Sequence, residues 1–159
     1  MVADINAEGT LNRRSFFDYM PNKVENFLYE KESYQVRGAC MDVWKQFKGM
    51  FKESVIDNSL TIALEERGLK VDSQKRINIY FHNKKVGTYI PDKVINDIII
   101  FELKSKDFLT KQDEEQFWNY LQGSEYKLGF LVNFSPKKLD IRRVVYDTAR
   151  THNSATAQR

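Results

Sequence analysis

Apolar residues recur every three or four positions in two stretches of the first half of the chain, and this spacing predicts amphipathic helices. The first stretch contains Val36, Ala39, Cys40, Val43, Trp44 and Phe47. The second runs from about Lys52 to Arg67 and is followed by Gly68, a residue type that often ends a helix in the left-handed conformation. We therefore predict two helices before the chain reaches Gly68.

After Gly68 the apolar spacing changes from helical to alternating. Ile77 to Phe81 alternates apolar and polar residues, which predicts a strand. Val86 to about Ile95 predicts the next strand, and Asn96-Asp97 predicts a turn. Ile98 to Lys104 is apolar on both faces and is therefore predicted to be a central, buried strand.

The last third of the chain predicts one more helix and further strands. Thr110 is a suitable N-cap for a helix that runs to about Gln122. Lys127 to Phe134 predicts an apolar strand, and Leu139 to Tyr146 is a candidate for the last strand. The pattern as a whole favours an α/β fold in which helices pack on a sheet built from residues 75–104 and 127–134.

Length and composition agree with one globular domain. The chain has 159 residues, of which 42% are hydrophobic and 30% charged, with few Gly and Pro. We expect an N-terminal arm over residues 1–27, the domain over 28–150 and a flexible tail over 151–159. The longest purely aliphatic or aromatic run, Ile98 to Phe101, is far too short to cross a membrane. We accordingly expect a soluble, cytoplasmic protein that does not engage a membrane.

Few residues are available to bind a soft metal. One cysteine and two histidines leave no internal disulfide, no four-cysteine iron–sulfur cluster and no closed zinc site. Any metal ion must therefore be held mainly by carboxylates. The net charge of +3 is too small to imply polyanion binding alone, but basic doublets occur late in the chain at Lys137-Lys138 and Arg142-Arg143.

The predicted central strand ends in two charged residues that share one face. Glu102 and Lys104 are two positions apart, so their side chains project together, roughly 6 to 7 Å apart along the strand. A salt-bridged strand end would explain this pair without any chemistry. Glu125 and Lys127 repeat the Glu-x-Lys pattern without a preceding apolar run, so the tripeptide is weak evidence by itself.

Asp92, which follows Pro91 on the neighbouring strand, strengthens the case for a site. Two carboxylates that converge beside a lysine suit Mg²⁺ or Mn²⁺. A strict two-residue turn at Asn96-Asp97 would pair Asp92 with Phe101 and place it on the face opposite Glu102. We predict one extra turn residue or a bulge that pairs Asp92 with Glu102 instead.

The order and spacing of these residues match a known sequence motif. Pro91-Asp92 followed by Glu102-Leu103-Lys104 resembles the motif of the PD-(D/E)XK nuclease superfamily. More narrowly, Tyr34 to about Tyr146 resembles the GxxExxY family of small proteins. The matching segments are Gly38-Ala39, Glu53-Ser54-Val55, Glu66 to Val71, Val86-Gly87, Phe101 to Lys104, Asn119 to Leu121, Leu128-Gly129 and Val132 to Phe134. Met50 and Ile56 stand where the naming motif has glycine and tyrosine.

The resemblance implies a restriction-endonuclease-like core with a central mixed sheet flanked by helices in the order αβββαβ. It implies a Mg²⁺- or Mn²⁺-dependent nuclease that hydrolyses phosphodiester bonds, with DNA as the favoured substrate. Asp92 and Glu102 would ligate the ion, and Lys104 would orient the attacking water or stabilise developing charge. Glu53 would ligate through water or hold the ligands in place, although a carboxylate that only complements the helix dipole is a real alternative.

The resemblance also implies contacts with the substrate. Gln116 and Tyr120 match a Gln-x-x-x-Tyr element of RecB-like members of the superfamily and would touch the nucleic-acid backbone or brace the site; core packing is an equal alternative for Tyr120. Independently of the resemblance, Lys137, Lys138, Arg142 and Arg143 are candidate phosphate contacts, although such basic doublets are usually solvated surface. The competing hypothesis is a catalytically weak or inactive nucleic-acid-binding or regulatory module with the same fold. A homodimer or a protein partner is left open.

Overall fold

The computed structural model describes residues 28–146. The predicted arm over residues 1–27, the last residues of the predicted domain and the tail over 151–159 lie outside the described residues. The described part begins with α1 (Glu30–Phe47) and α2 (Glu53–Glu66), so both predicted helices are confirmed. Gly68 takes a φ of 79° just after α2, as expected for a glycine that ends a helix.

Five strands form the central sheet, and a third helix lies between two of them. Residues 28–146 contain seven strands in all, five of them in this sheet: β1 (Val71–Asp72), β2 (Ile77–Phe81), β3 (Lys84–Tyr89), β4 (Lys93–Ile95), β5 (Ile99–Lys104), β6 (Leu128–Phe134) and β7 (Leu139–Val145), with α3 (Lys111–Gly123) between β5 and β6. The sheet order is β1-β4-β5-β6-β7. Among the described strands, only β5 and β6 run parallel. β5 is central, as predicted, and the mixed sheet flanked by helices confirms the fold class.

The sheet differs from the prediction in one respect. β2 and β3 pair only with each other and form a separate two-stranded hairpin, so residues 75–104 do not all belong to the main sheet. The predicted strand from Val86 to Ile95 is also wrong, because it is interrupted around Pro91, which has no N–H to donate to a ladder. Without the hairpin, the order α2-β1-β4-β5-α3-β6 gives the expected αβββαβ core, with the two-residue β1 as a strand that the sequence pattern did not predict.

Alternation along β5 directs its side chains into two separate cores. Ile99, Phe101 and Leu103 pack with apolar residues of α1 and α2. Ile100 packs on the opposite face with residues of α3 and of the β2–β3 hairpin. Because side chains alternate along a strand, Glu102 and Lys104 lie on the α3 face.

The start of α3 is fixed by a capping box at the predicted N-cap. The Asp113 backbone N–H donates to Thr110 Oγ1 over 3.2 Å, and the Thr110 N–H donates to Asp113 Oδ2 over 2.8 Å. Further along, α3 lies close to β6. The close approach depends on Gly129 of β6, since a Cβ at that position would lie 2.6 Å from Phe117 Cζ of α3. The helix is thereby held over the face that carries Glu102.

No helix in the described range of the chain is both long enough and apolar enough to span a membrane.

Candidate active site at the end of the central strand

The loop between β4 and β5 sets which carboxylate lies opposite which. Lys93 pairs with Phe101 and Ile95 pairs with Ile99, and continuing this register places Asp92 opposite Glu102. The loop has the predicted extra residue: Asn96 and Asp97 take positive φ angles of 52° and 55°, and Ile98 follows before the strand resumes. Asn and Asp tolerate this left-handed conformation better than most residues. The predicted register is confirmed.

Asp92 is held against the backbone of β5. Its Oδ2 accepts a hydrogen bond of 2.7 Å from the Leu103 N–H. β4 begins only at Lys93, so no strand carbonyl is available at this level and the carboxylate satisfies a donor that would otherwise be left unpaired. This contact fixes the carboxyl group of Asp92 beside the end of β5.

Glu102 is positioned by an aromatic pair. The Tyr89 hydroxyl donates a hydrogen bond to Glu102 Oε1. The Tyr89 ring in turn stacks on Tyr120 of α3, with ring centroids 4.0 Å apart and an interplanar angle of 7°. Tyr89 was not among the predicted site residues, because nothing in its spacing from Glu102 indicates the contact. Tyr120, which was predicted to brace the site, packs on the residue that holds Glu102.

The Glu102 carboxyl group holds its proton more tightly than an exposed glutamate. Its pKa is raised to about 8, first by burial and then by the negative charge of Asp92, while Tyr89 and Lys104 act in the opposite direction. Asp92 also lies within hydrogen-bonding reach of Glu102. Burial and the charge of Glu102 raise the pKa of Tyr89 as well, which keeps its hydroxyl a donor. The two carboxyl groups are thus close enough to compete for a cation or a proton.

Lys104 lines a cavity next to Glu102. This cavity has a volume of about 320 Å³ and lies between the end of β5, the end of β3 and α3. Within residues 28–146 the Lys104 ammonium forms no ion pair, so the salt-bridged strand end considered from the sequence finds no partner there. Lys104 instead presents its positive charge to the cavity wall shared with Gln116 and Tyr120.

Glu53 approaches the same region from the start of α2. Burial and the nearby negative charges of Asp92 and Asp57 raise its pKa, while Lys104 opposes them. The side chain is more exposed than the predicted inward-facing position. One turn further along α2, Asp57 forms an ion pair with Lys93, whose side chain is fully buried; the Lys93 ammonium donates to Asp57 Oδ1 over 2.8 Å. Sequence reasoning missed this pair, since nothing in the pattern indicated that Lys93 would be buried.

Two of the three predicted acidic ligands, Asp92 and Glu102, lie close together, but the third, Glu53, does not join them. No group of three or more His, Cys, Asp or Glu side chains within the described range converges well enough to hold a metal, so Glu53 is not brought into one coordination shell with Asp92 and Glu102. Mg²⁺, however, is often held by one or two carboxylates together with water and substrate phosphates. Asp92 and Glu102, whose carboxyl groups lie within hydrogen-bonding reach of each other, could supply two such carboxylates once Glu102 gives up its proton.

The remaining predicted residues fall into two groups. Gln116 is exposed and lines the cavity, while Lys137 and Lys138 are exposed in the turn between β6 and β7. Arg142 is half-buried and contacts Asp140 and Glu114, with nitrogen–oxygen distances of 3.0 and 3.7 Å. Arg143 donates to Ser33 Oγ of α1. The two arginines therefore make internal contacts, and their predicted contacts with phosphate stay predictions.

Comparison with known proteins gives one match. A family model described as the PD-(D/E)XK nuclease superfamily matches residues 30–144. This range contains α1 and ends within β7, so it includes every element of the sheet and all four predicted catalytic positions. Searches of curated proteins and of solved structures gave no match.

Proposed function

Because the chain belongs to the PD-(D/E)XK nuclease superfamily, we propose that it is a divalent-metal-dependent nuclease that hydrolyses phosphodiester bonds, with DNA as the favoured substrate. Members of this superfamily are generally nucleases and typically use divalent metals. The observation that carries the proposal is the register of β4 and β5, which brings the carboxyl groups of Asp92 and Glu102 together beside Lys104.

Each residue has a role that follows from its position. Asp92 and Glu102 would hold Mg²⁺ or Mn²⁺, with Glu53 contributing through a bridging water. A divalent ion held there would supply an activated water at neutral pH and would neutralise charge on the phosphate. Lys104 lies in the cavity wall without an ion-pair partner in residues 28–146, so its ammonium can orient the water or stabilise the charge that develops on the phosphate.

The aromatic pair supports this arrangement. Tyr89 holds one oxygen of Glu102, and Tyr120 holds the ring of Tyr89. Glu102 therefore presents its carboxyl group in a fixed orientation, which is what a metal ligand needs from its neighbours. Gln116 is exposed and lines the same cavity, so it can contact a phosphate of the bound strand.

A nucleic-acid-binding module without useful cleavage is the second candidate. It is favoured by one observation: only two carboxyl groups, Asp92 and Glu102, meet at the site, and no third acidic or histidine side chain in residues 28–146 completes a metal group. The two candidates differ in a measurable way, because the module would bind nucleic acid equally well with or without Mg²⁺ or Mn²⁺ and would never cut it.

The decisive experiment measures cleavage and metal binding on the same variants. The wild type should degrade single- or double-stranded DNA or RNA with Mg²⁺ or Mn²⁺ and not with EDTA. Glu102→Ala should abolish both cleavage and Mn²⁺ binding. Lys104→Ala should retain Mn²⁺ binding but lower kcat by roughly 100- to 1,000-fold, the usual cost of removing one donor that stabilises transition-state charge.

The second Glu-x-Lys pattern of the chain provides the control. Glu125 and Lys127 lie before β6, at the end of the sheet away from Lys104. Glu125→Ala and Lys127→Ala should cleave like the wild type. If Glu102→Ala cleaves normally, the activity comes from another site or from a contaminant, and if the wild type binds but never cuts, the binding module is the correct function.

A further inference from the structure

The β2–β3 hairpin extends from the body of the protein and exposes its apolar tip. Its base is packed, since Ile77 and Tyr89 are buried and Ile79 lies against Gly123 of α3. Towards the tip the burial ends: Tyr80 is 57% exposed and Phe81 63%. As consecutive residues of a strand they point to opposite faces of the hairpin, so each face exposes one ring, and exposed rings of this size are uncommon unless they serve an interaction.

The backbone of the tip departs from a regular hairpin. A register shift between Ile79 and Tyr80 leaves Val86 without a partner on the opposite strand, and such a bulge changes the direction of the side chains that follow. His82 and Asn83 then close the hairpin with φ angles of 46° and 61°. The Phe81 ring stacks on His82, with centroids 4.1 Å apart and an angle of 11°.

Charge around the tip has one sign. Residues 73–91 contain four basic residues and no acidic residue. Two of the basic residues, Lys84 and Lys85, are exposed at the tip, and within residues 28–146 neither is paired with a carboxylate. Flat rings next to uncompensated cations match the chemistry of unpaired bases joined by phosphates, whereas a protein partner would require complementary acidic groups.

The tip is connected directly to the candidate active site. Thr88 and Tyr89 at the end of β3, and Ile90 just after it, line the cavity that contains Glu102 and Lys104. Along the strand, Lys84 lies roughly 17 Å from Tyr89 at 3.4 Å per residue. At the duplex rise of about 3.4 Å per nucleotide this distance corresponds to about five nucleotide steps, and an unpaired strand, which can be more extended, spans it with no more than that.

We propose that the tip of the β2–β3 hairpin binds unpaired bases, with Tyr80 and Phe81 as stacking surfaces and Lys84 and Lys85 on the phosphates, so that the substrate carries a single-stranded stretch beside the bond to be cut. The proposal rests on the nuclease function proposed above, since it assigns the polymer and its strand state.

The test is a binding assay in EDTA, where no cleavage occurs. The probes are a fluorescently labelled oligothymidylate, the same length of abasic strand, and a blunt duplex. The variant Tyr80→Ala/Phe81→Ala should raise the Kd for oligothymidylate by roughly 5- to 150-fold for each ring that stacks on a base. Its affinities for the abasic strand and the duplex should change little, because these probes offer no unpaired base.

Two further variants separate stacking from charge and from misfolding. Tyr34→Ala removes a ring that is 73% exposed on α1 and should bind like the wild type. Lys84→Ala/Lys85→Ala should weaken binding to the abasic strand as well, and should reduce the slope of log K against log salt by roughly 1.4 if each lysine contacts one phosphate. Phe81→Trp keeps a ring and should show fluorescence quenching when oligothymidylate is added.

The outcomes distinguish this proposal from the nuclease function. If the wild type cleaves nucleic acid but Tyr80→Ala/Phe81→Ala leaves Kd and KM for oligothymidylate unchanged, the hairpin proposal is wrong and the nuclease function stands. Equal losses on the abasic strand would also overturn it, as would a change of oligomeric mass without a change in Kd, which would assign the tip to contacts between copies. If the base-specific loss is found and no cleavage occurs, the hairpin proposal stands and the nuclease function falls.

Discussion

Replacing Glu102 with glutamine in the metal-free protein should change how stability depends on pH. The pKa of the Glu102 carboxyl is about 8 in the folded protein, against an ordinary value of 4.5. The folded state therefore binds more protons than the unfolded state between these two values, and stability falls as the pH rises through this window. Glutamine carries no charge, yet it keeps an oxygen that accepts from Tyr89 and an N–H that can donate to Asp92, so it resembles the protonated glutamate.

The size of the effect follows from the shift. The pKa difference is about 3.5 units, and each unit corresponds to about 1.36 kcal/mol. Full ionisation of Glu102 in the folded protein therefore costs as much as about 5 kcal/mol relative to the unfolded chain. A domain of ordinary stability has only about 5 to 15 kcal/mol available, so the effect should dominate the alkaline side of the stability profile.

The assay is urea unfolding in EDTA, followed by circular dichroism. Near pH 5 the wild type and Glu102→Gln should be similarly stable, and near pH 9 the variant should be more stable by several kcal/mol. Comparing the two proteins at each pH cancels the groups that titrate in both. Added Mg²⁺ or Mn²⁺ should reduce the difference, because a cation between Asp92 and Glu102 favours the ionised carboxylates. Parallel curves at every pH would show that Glu102 ionises normally and would refute this reasoning.

Two further predictions concern the parts of the fold that support the site. Asp57→Ala should lower the free energy of unfolding by roughly 3 to 5 kcal/mol, because it leaves the fully buried Lys93 without its partner. Lys93→Met should lower it by less in the same urea assay, because Asp57 is 30% exposed and remains in contact with water. A larger loss for Lys93→Met than for Asp57→Ala would contradict the view that the buried lysine depends on Asp57. Gly49→Ala should cost more than the roughly 1 to 2 kcal/mol expected for left-handed backbone strain, because its φ is 77° and its Cβ would lie 2.6 Å from the Phe134 carbonyl oxygen. Gly68→Ala is the matched control, with φ of 79° and nothing within 4 Å, and equal losses in the two variants would show that the contact with Phe134 has no effect.

The elements that could be predicted are those whose burial pattern is long and regular. α2 buries one stripe of apolar side chains at helical spacing, and β5 buries apolar residues on both of its faces, so hydrophobic spacing was sufficient to locate them. β1 could not be found in this way, because a strand of two residues has no period. The hairpin was misassigned for a related reason: its apolar spacing does not distinguish it from main-sheet strands, and only the pairing of β2 and β3 with each other shows that they form a sheet of their own.

The residues of the candidate site also differ in whether local sequence spacing could indicate them. Asp92, Glu102 and Lys104 could be selected because a residue order links them and because Asn96 and Asp97 tolerate the backbone that the loop between their strands requires. Tyr89 could not be selected, because its contact with Glu102 depends on how the hairpin lies against α3. Such contacts come from tertiary packing and leave no trace in local spacing.

The position of Lys93 explains how α2 is tied to the site. Successive residues of a strand point to opposite faces, so Asp92 faces Glu102 while Lys93 faces α2 and binds Asp57 there. Glu53 lies one helical turn before Asp57 on α2, which brings it within electrostatic reach of Asp92. A buried charge is retained only when its partner is well placed, and here that pairing fixes the start of α2 against the strand that carries Asp92. Breaking the pair should therefore shift Glu53 relative to Asp92, and should weaken Mn²⁺ binding even though neither Lys93 nor Asp57 is a proposed ligand.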